Sequence, residues 1–369
     1  MPEQLNIAFF ASSLVSAYWN GAATYYRGIV RALAARGHRV SFFEPDAYDR
    51  QKRRDIPDPD WANVVVYPAD SEAHAYAALE QARYADLVVK ASGVGVFDRL
   101  LEEAVLELKS SRTRVVFWDV DAPATLDRVR SDPSDYFAAL IPRYDMIFTY
   151  GGGPPVVAAY SGLGARHCAP VYNALDPDTH SPAAPDGRFE GALGFLGNRL
   201  PDREARVDEF FLKPAGLCGL PCVLGGAGWE DKPIPRNVRY VGHVYTRDHN
   251  AFNSTPRAVL NISRESMARY GYSPATRVFE AAGAGACVIT DDWEGIELFL
   301  DPGEEVLVAR GGEEVSELLC ALTPRRAREI GARARQRILE THTYAHRALQ
   351  VEELLGCGAG AVGSAAPTV

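Results

Sequence analysis

YGYSPATRVFEAAGAGACVITDDWEGIE, residues Tyr270–Glu297, carries more readable chemistry than any other stretch of the chain. Tyr270-Gly271-Tyr272-Ser273 is rich in turn formers, and Ser273-Pro274 reads as an N-cap followed by a first helical residue. A helix that starts behind a glycine-containing loop gathers unpaired backbone N–H groups and the positive end of its dipole, a combination suited to a phosphate. Arg277 and Glu280 lie three residues apart and so share a helix face. A guanidinium fits a diphosphate. An ionised carboxylate only accepts hydrogen bonds, which fits sugar hydroxyls. Gly283 and Gly285 stop the helix, and Cys287-Val288-Ile289-Thr290 reads as a buried strand. One short unit thus offers both diphosphate and hydroxyl recognition, as a nucleotide-sugar needs.

The same alternation of strand and helix extends outward. On the N-terminal side, Leu5–Phe10, Val40–Phe43, Val64–Tyr67, Leu87–Lys90, Val115–Trp118 and Met146–Tyr150 read as strands, with amphipathic helices between them. A second series comprises Leu193–Leu196, Cys222–Leu224, Val238–Val241, Ala258–Ile262, Cys287–Thr290 and Val306–Val308. Strands alternating with helices imply parallel sheets covered on both faces. The fold class is therefore α/β, with two doubly wound, Rossmann-like domains. The expected boundaries are 1–175 for the first, joined by a helix over 341–355, and 183–340 for the second, with 356–369 a flexible tail. The join, Asn173-Ala174-Leu175-Asp176-Pro177-Asp178-Thr179-His180-Ser181-Pro182, is rich in turn formers.

Composition narrows the function classes. The 369 residues are 47% hydrophobic, and 39 basic residues face 48 acidic ones for a net charge of −9. That balance argues against broad nucleic-acid binding or attraction to anionic membranes. No run approaches the roughly 18 apolar residues of a membrane-spanning helix. MPEQLNIAFF enters a strand without a basic leader, so a cytoplasmic protein is expected. The six cysteines are scattered, and Cys218 and Cys222 have no second close pair to complete a zinc site.

Two doubly wound domains, a hinge and a phosphate loop in the second domain resemble the GT-B glycosyltransferases. The resemblance is closest to the retaining family-4 type and, within it, to the CgeB-like (spore-maturation-protein) group. Three motifs carry it. Asn173, Leu175, Asp176, His180 and Pro182 keep the spacing of the family's hinge motif. Phe195-Leu196-Gly197-Asn198-Arg199-Leu200-Pro201-Asp202-Arg203 is similar to the strand that opens the family's second domain. Asn198 stands in the place of an Arg and Arg203 in the place of a Lys. Glu280, Gly285, Val288, Ile289 and Asp292 match the third motif, with Tyr272 where its first Glu stands, and Arg277-Val278-Phe279-Glu280 has the CgeB-like order. The resemblance implies that Arg203 holds the donor diphosphate, that Arg199 or Arg277 adds the second positive charge, and that Glu280 binds the ribose. It also implies two domains facing across a cleft, with the C-terminal helix crossing back to the first.

Other candidates carry open alternatives. Asp119-Val120-Asp121 ends a strand and reads as a metal-binding pair, as a simple turn, or as a cleft position facing donor or acceptor. Asp121, with Asp119 beside it, is the catalytic candidate: a general base if configuration inverts, an orienting group if it is retained. Trp19 and Gly21 sit in the first strand–helix turn, and Gly152 lies in Tyr150-Gly151-Gly152-Gly153; each is either a cleft-lining position or a structural turn. Gly226, in Gly225-Gly226-Ala227-Gly228, is a candidate for the donor site, as are Tyr272 and Ser273. Arg325–Arg337 is a basic helix, read as a solvated face or as a surface for anionic lipid.

The expected activity is transfer of a sugar from a UDP-, GDP- or dTDP-linked donor to an acceptor, without metal or other cofactor. A GT-B nucleotide-sugar epimerase and a non-catalytic two-domain binding protein are the alternatives.

Overall fold

Thirteen apolar runs pair entirely in parallel in the computed structural model, which describes residues 4–18 and 20–357. Seven strands make the first sheet: β1 Asn6–Phe10, β2 Arg39–Asp46, β3 Asn63–Pro68, β4 Leu87–Ala91, β5 Arg114–Asp119, β6 Met146–Thr149 and β7 Cys168–Pro170. Their spatial order is β3-β2-β1-β4-β5-β6-β7. Six strands make the second: β8 Leu193–Leu196, β9 Cys222–Gly225, β10 Val238–Tyr240, β11 Ala258–Asn261, β12 Val288–Asp291 and β13 Leu307–Ala309, in the order β10-β9-β8-β11-β12-β13. Both sheets reverse their winding beside the first strand, between β1 and β4 and between β8 and β11. In open α/β sheets ligands bind at that reversal, beyond the carboxyl ends of the strands.

Contacts divide the chain into two compact units. One comprises Met1–Tyr172 and Tyr344–Val369, the other Asn173–Thr343. The first unit is built on an aromatic core. Phe9 on β1 stacks on Phe42 of β2 at 5.5 Å, and Trp118 of β5 lies at 5.6 Å on its other side. Two of its buried polar tips form a chain: Trp118 Nε1 donates to the Tyr25 hydroxyl at 2.9 Å, which donates to Val171 O at 2.6 Å. The helix Tyr344–Leu354 packs on the helix Ala23–Ala35 at Gly28, where any Cβ would overlap the Tyr344 ring. Glu352, almost fully buried, closes the contact with Arg36 at 2.5 Å and His38 at 3.0 Å. β7 is absent from the sequence reading because three residues with a terminal proline carry no alternation. Proline is tolerated there because β7 is an edge strand.

In the second unit, Phe195, Phe211, Trp229, Leu260 and Ile289 belong to one buried cluster. Thr323 caps the helix Pro324–Thr341 by accepting from Arg326 N at 3.2 Å. The basic residues of this helix are largely spent internally. Arg326 and Arg333 bind Glu304 at 3.2 and 2.9 Å, Arg337 meets Glu305 at 3.5 Å, and Arg325 meets Glu329 at 2.8 Å. All six cysteines are free thiols, and burial pushes Cys222 and Cys287 up to about 12. Among the described residues no group of three His, Cys, Asp or Glu side chains is placed to hold a metal, and no helix is long and apolar enough to cross a membrane.

Candidate functional site

The loops after β8 and β9 are locked together by close backbone approach. Gly226 has φ +120°, and a Cβ there would overlap Gly197 O. Trp229 Nε1 donates to Gly197 O at 2.8 Å and Ala227 N donates to Asn198 Oδ1 at 3.0 Å. Asn198 therefore fastens one loop to the other. Arg199 is likewise committed: it donates to Asp231 and to Glu204, both at 2.8 Å, and Glu204 also holds Lys232 at 2.8 Å. These bonds keep the Glu204 carboxyl at about 2. Of the two residues expected to add the second positive charge, Arg199 or Arg277, Arg199 has two carboxylates on its guanidinium.

Arg203 and Arg277 have a different fate. Arg203 lies in the helix Pro201–Val207, beyond the carboxyl end of β8, and its Nη2 donates to Asn198 O at 2.8 Å. Arg277 lies in the helix Thr276–Gly283, between β11 and β12. Both guanidinium carbons approach the ring of Phe195 on β8, at 5.9 and 5.4 Å. Among the described residues Arg277 makes no hydrogen bond or ion pair. Burial and the nearby Arg203 push it down to about 10, with Glu280 acting in the opposite direction. Two cations thus crowd a half-buried spot at the reversal between β8 and β11. The helix that carries Arg203 is anchored one turn further on, where Arg206 meets the buried Asp291 at 2.5 Å.

The approach to the second helix differs from the sequence expectation. Its first residue is Thr276, its N-cap is Ala275, and no side chain caps it. Ser273 instead donates from Oγ to Gly271 O at 2.9 Å, and Pro274 offers its carbonyl to Asn173 Nδ2 at 3.2 Å. The cause is a sharp bend in which Gly271 and Tyr272 both have positive φ, +68° and +47°. Tyr272 N donates to Glu294 O at 2.6 Å and its hydroxyl to Glu294 Oε1 at 3.1 Å, while its ring lies where a Cβ on Gly295 would sit. Ser273 and Pro274 are thereby held in the loop, and the helix start, with its orphan amides, moves to Thr276. Glu280 turns toward His180, whose Nε2 lies 3.7 Å from Oε1. His249, also close to Glu280 and Arg277, has its imidazole pKa lowered, chiefly by burial.

In the first unit, Asp119 sits inside a hydrogen-bonded cluster. It is fully buried and accepts from Ser92 Oγ at 2.8 Å, Thr125 Oγ1 at 3.1 Å, Asp121 N at 3.1 Å and Tyr160 Oη at 2.5 Å. Three of these donors converge on Oδ1 and Tyr160 alone reaches Oδ2, so the carboxylate serves mainly to hold its own surroundings together. Asp121 is half-buried at the start of the helix Ala122–Ser131. Gly152 has φ +89°, and a Cβ there would overlap Val156, so a turn explains it. Gly21 is exposed with open space around it, and Trp19 lies outside the described residues. A polar cluster at the carboxyl ends of β1, β2 and β4 escaped the sequence reading. Glu44 accepts from Ser13 Oγ at 3.0 Å and Leu14 N at 2.6 Å, and buried Lys90 donates to Asp98 at 2.8 Å. Its one visible signal is a charged residue inside each of two apolar strands, Phe43-Glu44 and Val89-Lys90.

Comparison with known proteins matches this architecture. A sucrose-phosphate synthase from Thermosynechococcus elongatus superposes with a TM-score of 0.68 at 14% identity, over 96% of this chain and 98% of that one. Anabaena HepE in complex with UDP-glucose gives 0.67 at 12% identity, over 96% and 100%. The fold is GT-B. AviGT4, a glycosyltransferase involved in avilamycin A biosynthesis, gives 0.59 at 19% identity, over 95% and 96%. Residues 203–353 match the family model described as glycosyl transferase-like. No curated protein sequence matches the chain. In this GT-B chain the family match begins at Arg203 and takes in Arg277, Glu280 and the Tyr272–Glu294 bend.

Proposed function

We propose that the protein is a glycosyltransferase that draws its sugar from a nucleoside-diphosphate donor held on the second unit. The observation that carries this reading is the Arg203–Arg277 pair over Phe195, placed at the winding reversal, with no carboxylate partner for Arg277 among the described residues. A diphosphate relieves the repulsion between the two guanidiniums. Its negative charge grows as the bond to the sugar breaks, so the same pair favours the transition state over the bound donor. Amides at the start of the helix Thr276–Gly283 add donors to the phosphates. Glu280 accepts from ribose hydroxyls. The HepE complexes with UDP and UDP-glucose support a uridine donor, and the Arg277-Val278-Phe279-Glu280 order supports the CgeB-like group. Two arginines then do the electrostatic work that a metal does elsewhere. Asp121, half-buried beyond β5, is the first unit's carboxylate for the acceptor hydroxyl.

The test is thermal denaturation with UDP, GDP, dTDP and ADP, followed by assay of nucleotide release from the matching sugar donors in EDTA. At a concentration about 100-fold above Kd, one of them stabilises the fold by roughly 2.7 kcal/mol. No shift with any of the four at millimolar concentration removes the donor-site reading. Activity that requires added Mn²⁺ removes the metal-independent part alone.

A further inference from the structure

Arg277 and Glu280 are opposite charges at i and i+3 of one helix, a spacing at which such side chains ordinarily pair. Here they do not pair. Glu280 faces His180, with Oε1 and Nε2 3.7 Å apart. His180 is buried and its ring is oriented from behind: Thr179 Oγ1 lies 3.0 Å from Nδ1 and donates to Asp176 O at 3.1 Å. The segment that carries His180 is itself pressed onto the helix. A Cβ on Gly283, one turn beyond Glu280, would overlap Leu175 Cδ1, and Asn173 Nδ2 holds Pro274 O in the loop just before the helix. The clamp runs from that loop to the last residue of the helix, with His180 opposite the carboxylate.

We propose that His180 is a positioning residue that draws Glu280 away from Arg277 and so leaves the guanidinium free for an anionic ligand. The inference rests on the donor-site reading above. In this arrangement Glu280 has a choice between an imidazole and a guanidinium. Losing the imidazole lets the carboxylate swing to its helical neighbour, where it competes with the ligand's phosphates for Arg277. His249 lies near the same two residues, but its Nε2 is 3.2 Å from Val244 O and its ring is thereby held to its own segment.

Inorganic pyrophosphate is the probe, because it reports on the arginines without engaging the ribose-binding role of Glu280. Its affinity is measured by calorimetry at one fixed pH for wild type, His180→Phe, Glu280→Gln and the double variant. His180→Phe weakens pyrophosphate by about tenfold. Glu280→Gln, which cannot form the competing ion pair, restores affinity in the His180→Phe background by a larger factor than it raises it in wild type. That non-additivity is the signature, since simple structural damage at position 180 is not repaired from position 280. Additive effects, or unchanged affinity in His180→Phe, overturn the proposal while leaving the arginine site standing. If wild type binds neither pyrophosphate nor any nucleoside diphosphate, the donor-site reading falls and this inference with it. His180→Asn is the second variant if the phenylalanine does not fold.

Discussion

Arg203 and Arg277 converge on one aromatic ring, Phe195, from helices that follow different strands of the second sheet. Two like charges held this close in a half-buried place weaken the empty fold. Sites that store such repulsion are ones where stability and function pull in opposite directions.

Replacing Arg277 with Met therefore separates the two. The variant keeps the length of the side chain and removes the charge. We expect thermal stability equal to or slightly above wild type, and nucleoside-diphosphate affinity lower by about 10- to 100-fold, the worth of a charge-assisted hydrogen bond. Differential scanning fluorimetry with and without nucleotide measures both. A large loss of stability without nucleotide contradicts the expectation.

Arg199 provides the contrast. Its guanidinium is tied to Glu204 and Asp231 at 2.8 Å each. Arg199→Ala lowers nucleotide affinity by less than about threefold, since its guanidinium is spent on Glu204 and Asp231. A loss matching that of Arg203→Ala in the same titration places Arg199 back in the site.

The two aspartates beyond β5 should respond oppositely. Asp119→Ala strands four donors in a fully buried place and costs roughly 3 kcal/mol in urea unfolding. Asp121→Ala costs much less stability and slows sugar transfer by about 10²-fold or more. A stable, inactive Asp119→Ala variant reverses these assignments.

Glu352 links the C-terminal helix to the first unit through Arg36 and His38. Burial raises its carboxyl pKa, but the hydrogen bonds and charges of Arg36 and His38 outweigh that and hold it below the usual range. A depressed folded-state pKa contributes stability that is fully present above the unfolded value, about 4.3, and is lost as pH falls through the folded value. Melting temperatures of wild type and Glu352→Gln should differ by several degrees near neutral pH and converge below about pH 4. A gap that does not narrow as pH falls below about 4.3 excludes this ionisation as its source.

The parallel strands were legible because a strand buried on both faces needs a continuous apolar run bounded by polar turns. Leu87–Ala91 is such a run, apolar but for Lys90. The helix start after Tyr270 was not legible. Ser273-Pro274 obeys every local rule for a cap, yet Glu294 and Gly295 hold Tyr272 in a left-handed bend that local rules do not contain. Asn198, Arg199 and Arg203 were equally plausible as ligand groups in sequence. Their partners, Ala227, Glu204 with Asp231, and the Phe195 ring, separate them only in space.

Periodicity and residue type are local properties, and they already carry the two doubly wound sheets and the arginine and glutamate chemistry of the second. Which arginines meet depends on how the chain folds. A guanidinium takes whichever carboxylate lies within reach, and reach is set by loops that cross far from one another in sequence. Arg199 is captured by Glu204 and Asp231. Among the described residues Arg277 has no carboxylate partner, and Glu280, its neighbour on the same helix, faces His180.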